Sequence, residues 1–286
     1  MDKKTLARYG LKWNPFSLQL PLEALQPTPA ITSFCHRVEL LAREGGFALL
    51  TGDPGSGKSS AMRLLVSALG EVRDLKVGVL TRPQSHMADF YREIGHLFGV
   101  ALTPHNRWSG TKALRERWVA HIGSVLYRPV LLVDEAQEML PSVLNELRLL
   151  GSAELDSQLL LTVVLAGDGR LVEALRGEDL LPLGSRIRVR LSLAALGAAD
   201  LAQSLGRALE AAGNPRLLSQ ELVATLAEHA AGNHRVLANL GAELLAAAAE
   251  RDLAHLDEKL FLDLYAQPVP ATAERNADKR ARQARR

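Results

Sequence analysis

Up to Leu193 the apolar positions of the chain switch repeatedly between short unbroken or alternating runs and runs spaced by three and four. Gly46 to Thr51 is a short apolar run that leads into a Gly-rich stretch, and Ser59 to Leu69 follows with helical spacing, which predicts strand, loop and helix. Leu75 to Thr81 alternates as a second strand. Met87, Phe90, Tyr91, Ile94, Leu97 and Phe98 then mark one face of a helix. Leu114, Trp118, Ile122, Val125 and Leu126 mark another, and Val130 to Val133 is all apolar, as in a strand buried on both faces of a parallel sheet. Pro141 suits the first turn of a helix through Leu150. With Leu159 to Ala166 and Ile187 to Leu191 as further strands, about five strands alternate with helices, which predicts a doubly wound α/β domain.

Beyond Leu193 strand patterns vanish. Ala/Leu-rich helical spacing takes over around Leu201-Leu205-Leu209, Leu222-Leu226 and Leu237-Leu240-Leu244, with Ser219 as a helix cap and Gly232 as a helix stop. From Gln267 two Pro and then dense charge predict a mobile tail. The expected division is an N-terminal linker with a first helix over 1–45, the α/β core over 46–193, a helical domain over 194–266 and a basic tail over 267–286.

Composition narrows the class. With 47% hydrophobic and 23% charged residues the chain has an ordinary globular balance, which excludes disorder for most of its length. Its apolar runs fall well short of the roughly 20 residues that a spanning helix needs, and the N-terminus has no apolar signal core. A soluble cytoplasmic protein without a membrane partner is expected. Cys35 is the single cysteine, so no internal disulfide forms, and the eight His have no zinc-site spacing. The net charge of +2 is local: Glu274 to Arg286 holds six Lys/Arg against two acids, so the remainder is net acidic. A second basic enrichment, with Arg82, Arg92, Arg107, Lys112, Arg115, Arg117 and Arg128 against Asp89, Glu93 and Glu116, is a possible polyanion surface.

Two motifs carry chemistry. Gly52-Asp53-Pro54-Gly55-Ser56-Gly57-Lys58-Ser59, continued by Ser60, fits the phosphate-cradling pattern called Walker A, in which backbone N–H groups at a helix N-terminus hold a triphosphate. Lys58 would reach the β/γ-phosphates and the Ser59 hydroxyl would ligate Mg2+; an ordinary Gly-rich turn is the alternative. Behind Val130 to Val133, Asp134 and Glu135 stand where a buried parallel strand emerges, as in a Walker B strand. Asp134 would hold Mg2+ and Glu135 would act as general base on the attacking water, the alternative being solvated loop charges. ATP and Mg2+ are the expected cofactors and ATP hydrolysis the expected reaction.

On these residues the chain resembles the AAA+ ATPases of the ExeA/TniB/IstB/MuB type, TnsC-like proteins that accompany DDE transposases. The likeness extends over roughly residues 9 to 266. It includes Tyr9-Gly10-Leu11-Lys12, Asn14-Pro15-Phe16, Asp134-Glu135-Ala136-Gln137-Glu138, Leu147-Arg148-Leu149-Leu150 and Val163-Val164-Leu165-Ala166-Gly167. The resemblance implies an AAA+ P-loop core with a parallel five-stranded sheet, a C-terminal helical lid, and a nucleotide site shared between subunits. Arg186 in Gly184-Ser185-Arg186-Ile187 matches the arginine that completes a neighbour's site, with Arg188 as competitor. Arg235 in Gly232-Asn233-His234-Arg235 matches the lid arginine that contacts nucleotide in its own subunit, a helix-start Arg being the alternative. Asp168 stands where the family has a polar, often amide-bearing sensor, a departure from its pattern. Pro15 and Phe16 match the linker that packs on adenine, with plain core packing as the alternative.

The resemblance also implies contacts to duplex DNA from Thr81, Arg82, Thr111 and Lys112, which would hold phosphates without reading bases, or else form a solvated charged face. The implied function is an ATP-regulated homo-oligomer, ring or filament, that assembles on DNA in transposition and recombination, recruits a DDE transposase and disassembles on hydrolysis. An accessory ATPase of an ExeA-like secretion complex is the rival. The ExeA proteins carry as a family a membrane span and a wall-binding domain, neither of which is read here, so the transposition branch is the expected one.

Overall fold

The computed structural model describes residues 3–17, 19–25, 27–80, 83, 86–100, 107–124, 127–153 and 158–265, with only the backbone of Arg107 and Trp108. In chain order these form α1 (Lys3–Arg8), α2 (Pro29–Glu44), β1 (Gly46–Gly52), α3 (Lys58–Gly70), β2 (Leu75–Leu80), α4 (Met87–Phe98), α5 (Arg107–Gly123) and β3 (Arg128–Val133). There follow α6 (Pro141–Leu150), β4 (Ser152–Ala153), β5 (Gln158–Leu159), β6 (Thr162–Gly167), α7 (Gly169–Arg176), α8 (Leu181–Gly184) and β7 (Ile187–Leu193). The last elements are α9 (Ala198–Ala212), α10 (Gln220–His229), α11 (His234–Glu250) and α12 (Glu258–Tyr265). The described residues divide into two compact units, one within 20–196 with 232–234, the other within 3–19, 197–231 and 235–265; the tail expected over 267–286 lies outside the described residues.

The first unit is built on a parallel sheet of five strands in the order β2-β3-β6-β1-β7. Alternation within each strand sends its side chains to opposite faces. Phe47, Leu49, Leu131, Val133, Val163 and Leu165 pack under α4 to α8 on one face. Ala48, Leu50, Val130, Leu132, Val164 and Ala166 pack under α2 and α3 on the other. The sheet is thus doubly wound, which is why its three central strands, β3, β6 and β1, read as largely apolar, while the edge strands β2 and β7 alternate. Thr28 caps α2 by accepting from the Ile31 N–H at 3.3 Å, ahead of Pro29 in the first turn.

The run from Leu159 to Ala166 is not one strand. Gln158–Leu159 pairs antiparallel with Ser152–Ala153, and the parallel strand begins only at Thr162. Between them the Leu160 N–H donates to the Gly151 carbonyl at 2.9 Å, and Leu160 and Leu161 are buried in the core. Their apolarity reflects burial at a change of direction rather than strand pairing.

In the second unit the leucines that recur at helical spacing, Leu201, Leu205, Leu209, Leu222, Leu226, Leu237 and Leu244, are all buried. Ser219 accepts the Leu222 N–H at 3.1 Å and caps α10. This helix closes at His229, ahead of Gly232, because Ala231 already turns into the left-handed region at φ 45°. The chain's start belongs to this unit: the Tyr9 hydroxyl donates to the Leu253 carbonyl at 3.0 Å, and the Lys12 N–H to the Ala212 carbonyl at 2.8 Å.

Phe98 is 2% exposed and meets Trp118 edge to face at 5.4 Å between centroids. Phe98→Ala should therefore lower the unfolding free energy by about 3–5 kcal/mol, read as a lower urea midpoint at constant slope.

Candidate nucleotide site

The strand order places the site. From β1 the chain leaves toward β2 at one side of the sheet, whereas from the adjacent β6 it leaves toward β7 at the other. The first connection passes through α3 on one face and the second through α7 on the other, and adjacent strands whose connections leave to opposite faces have a crevice at their carboxyl ends. Thr51 pairs with Gly167, and Val133 with Leu165, so the ends of β1, β6 and β3 lie side by side.

After β1 the Gly-rich loop turns sharply into α3. A side chain at Gly52 would meet the Ser56 hydroxyl at 2.5 Å and the Leu193 carbonyl at 2.8 Å, so only Gly fits. Gly57 caps α3 at φ 95° with open space where a Cβ would stand, which keeps the first-turn N–H groups accessible. Lys58 is 6% exposed, and its ammonium donates to the carbonyls of Gly52 at 2.7 Å and Asp53 at 3.0 Å. The Ser56 N–H donates to Asp53 at 3.1 Å. The Ser56 hydroxyl is buried without a hydrogen-bond partner among the described residues. A loop that leads into a helix N-terminus, with a lysine ammonium held by its own carbonyls and an unsatisfied hydroxyl, fits a polyphosphate.

Two residues outside the predicted set hold this loop. The Asn233 side chain donates to the Pro54 carbonyl at 3.1 Å and lies against Gly55, where a Cβ would collide with it. The His234 N–H donates to the Gly55 carbonyl at 3.0 Å, and burial pushes the His234 imidazole below its usual pKa. In the sequence, the Gly232-Asn233-His234-Arg235 stretch draws attention only to Gly232 as a helix stop and to Arg235 as the lid arginine that the resemblance implies. The signal it carried was an amide before a helix, whose use depends on a contact 179 residues away.

At the end of β3 the Asp134 carboxylate accepts from the Ser59 hydroxyl at 3.3 Å and from the Glu135 N–H at 2.9 Å. A hydroxyl and a carboxylate so paired are the donor set that a hard divalent cation takes. Glu135 is exposed, in the left-handed region at φ 52°. Gln137 donates from its amide to the Glu135 carboxylate, and its amide oxygen accepts the Asp168 N–H at 3.3 Å.

Asp168 lies beside them at the end of β6, but its carboxylate is engaged. It caps α7 by accepting the Arg170 N–H at 2.9 Å and pairs with the Arg170 guanidinium, which also reaches Glu138 at 2.8 Å. The Arg170 hydrogen bond holds the Asp168 carboxyl below the usual aspartate range, with a smaller contribution from the charge of Lys58.

Arg186 is not in this crevice. Phe47 pairs with Ile187 and Gly52 with Leu193, so Arg186 precedes the start of β7, at the opposite edge of the sheet from Gly52. Six residues at about 3.3 Å each separate the edges by roughly 20 Å. Its guanidinium donates to the Pro182 carbonyl at 2.7 Å, while that of Arg188 pairs with Glu44 at 2.9 Å. Arg235, Pro15 and Phe16 belong to the helical unit. Arg235 is exposed, and Pro15 and Phe16 are buried, with the Phe16 ring against Gly241 of α11.

Of the residues expected on DNA, Thr81 and Arg82 lie outside the described residues. The Thr111 hydroxyl is 2.5 Å from that of Tyr91, which also donates to Glu146, a carboxylate 2% exposed. Thr111 thereby helps satisfy a buried charge. Lys112 is exposed and 3.7 Å from Glu116 one turn on. Both line a cleft of about 1000 Å3 between α5, α6 and the β4–β5 pair, to which the Gly-rich loop contributes nothing.

Comparison with known proteins bears on the family and the fold. Residues 41–175 match the family described as AAA domain. The general secretion pathway protein A of Aeromonas hydrophila is 33% identical over 210 residues, 69% of this chain but 37% of that protein, so the chain spans under two fifths of this relative. Cdc6p from Pyrobaculum aerophilum superposes with a TM-score of 0.66 at 16% identity, over 85% of this chain and 67% of that one. The ORC1 protein of Aeropyrum pernix, solved in complex with DNA, gives 0.61 at 21% identity, over 86% and 68%. At such identities the structural likeness bears on the fold alone. The unit that carries the Gly-rich loop has the AAA+ P-loop fold, and the chain contains an AAA domain over residues 41–175.

Proposed function

We propose that the protein is a Mg2+-dependent ATPase whose site is completed by a second copy. The single observation that carries this reading is the pairing of Ser59 with Asp134 beside Lys58, with Glu135 next in the chain. The residues from Gly52 to Ser60 would hold the phosphates through backbone N–H groups, and Lys58 would exchange its two carbonyl partners for β/γ-phosphate oxygens. Mg2+ held by Ser59 and Asp134 would neutralise charge on those oxygens. Glu135 would take the proton from the attacking water. Arg186, about 20 Å from its own loop on strand geometry, would serve the loop of a neighbouring copy.

The output of such an ATPase has two readings. The 33% identity to a secretion pathway protein supports an accessory ATPase of a secretion complex. That no helix among the described residues is long and apolar enough to cross a membrane does not weigh against that reading, because the chain corresponds to 37% of that relative. Assembly on duplex DNA is supported by the basic residues of α5, of which Lys112 and Arg117 are exposed, though they do not share one face of the helix and Thr111 has an internal role. Recruitment of a DDE transposase rests on the family resemblance alone.

Three measurements test these readings. Lys58→Ala should abolish nucleotide binding, whereas Glu135→Gln should keep it and lower phosphate release by about 10²–10⁴-fold; near wild-type release from Glu135→Gln would reassign the base. Arg186→Ala alone and Lys58→Ala alone should both be inactive, yet a mixture should regain part of the turnover, each copy supplying the half-site that the other lacks. No recovery on mixing would count against a composite site. On the DNA reading, Lys112→Ala should weaken binding equally on any duplex and lower the slope of log K against log salt by about 0.9. No binding to duplex at low salt would leave the secretion reading.

A further inference from the structure

The general base assigned above is held by a residue that none of the roles so far includes. Glu135 has a left-handed backbone at φ 52°, a conformation that costs a non-Gly residue roughly 1–2 kcal/mol and persists only where its surroundings enforce it. The enforcing contacts are on both sides of it. Its N–H is tied to the Asp134 carboxylate at 2.9 Å, and its own carboxylate accepts from the Gln137 amide. The other end of that amide accepts the Asp168 N–H at 3.3 Å. Gln137 therefore spans from the end of β3 to the end of β6 with one planar group.

The chemistry fixes which end faces which partner. A carboxylate accepts only and a backbone N–H donates only, so the NH2 must face Glu135 and the carbonyl oxygen must face Asp168. The neighbouring strand makes room for it. A side chain at Gly167 would meet the Gln137 amide oxygen at 2.6 Å, so the Gly at the end of β6 permits the bridge. The carboxylate at Asp168 cannot take this part, since Arg170 and the first turn of α7 occupy it.

We propose that Gln137 is the positioning residue of the hydrolytic site: it clamps one oxygen of the Glu135 carboxylate and, through the Asp168 N–H, fixes Glu135 against the end of β6. The inference rests on the ATPase reading and deepens it. By occupying one carboxylate oxygen, Gln137 leaves the other for the attacking water and stops the side chain from swinging into solvent, where Glu135 is otherwise exposed. Only a side chain of this length with both a donor and an acceptor can do so. Glu would set two carboxylates against each other, and Met would fill the same volume with no hydrogen bond.

The test compares full-length wild type, Gln137→Met and Gln137→Glu for steady-state phosphate release and for equilibrium binding of a fluorescent ATP analogue. The Met variant should lose about tenfold in kcat with KM and nucleotide affinity unchanged, because only the reacting geometry is disturbed. The Glu variant should lose more, since it retains the acceptor for the Asp168 N–H but repels Glu135. In a Glu135→Gln background the Gln137→Met change should have no further effect on residual kcat, because the base it positions is gone. Amide exchange at Asp168 should quicken in the Met variant and not in the Glu variant. Wild-type kcat in Gln137→Met, or a full additional loss in the Glu135→Gln background, would overturn the positioning role while leaving the ATPase reading intact. A wild-type protein that binds the analogue but releases no phosphate would overturn both.

Discussion

Parallel pairing of β1 with β6, and of β6 with β3, is the constraint from which the site follows. It brings the reversals after Gly52, Val133 and Gly167 to one edge, neighbouring strands being about 4.8 Å apart. None of the three ends would carry chemistry alone. The loop offers donors without an acid, β3 offers acids without a cation, and β6 adds the Asp168 N–H that anchors Gln137. Register matters as much as order, because a slip of one residue would reverse which face each strand buries and detach the helices on both sides.

At that edge charge is balanced locally by polar contacts. Lys58 is buried and held by two carbonyls, Asp134 accepts a hydroxyl and an N–H, and Asp168 is matched by Arg170. A buried charge is tolerated only when so satisfied, and contacts to neutral groups exchange more readily than ion pairs do. Lys58 and Asp134, the charged residues assigned to phosphate and Mg2+ in their own copy, have neutral partners. Asp168 has a cationic one, and Arg170 ties it further to Glu138. The division separates groups fit to change partners from a group that serves as scaffold, and it agrees with the departure of Asp168 from the sensor pattern that the resemblance implies.

How far the sequence was legible follows from the range of each interaction. The Gly-rich loop, the apolar β3 and the leucine spacing of α9 and α10 are local patterns, and each element forms where its period says. The run from Leu159 to Ala166 misleads because burial at a reversal and burial in a strand select the same residues. The resemblance implies Thr111 as a phosphate ligand near the start of α5, but its hydroxyl is bonded to Tyr91, which holds the buried Glu146. Gln137 and Asn233 were missed for the opposite reason. Their partners, Asp168 and Pro54, are remote in sequence and are chosen by the fold, while an isolated amide side chain carries no period or spacing of its own.

The placement of Arg186 reaches beyond the single chain. β1 and β7 run in parallel, so the loop that follows one and the arginine that precedes the other lie at opposite edges of the sheet. A site that needs both is assembled by setting the loop edge of one copy against the arginine edge of the next. Such a contact would join two different surfaces and, unless the same pair also made the reciprocal contact, would leave one of each unused. It would then continue until a ring shuts or a helix extends, according to the rotation between successive copies. On the proposed composite site, ring or filament would follow from where two residues sit on one sheet, and the rotation that decides between them would be set jointly by the surfaces around Arg186 and around the nucleotide loop.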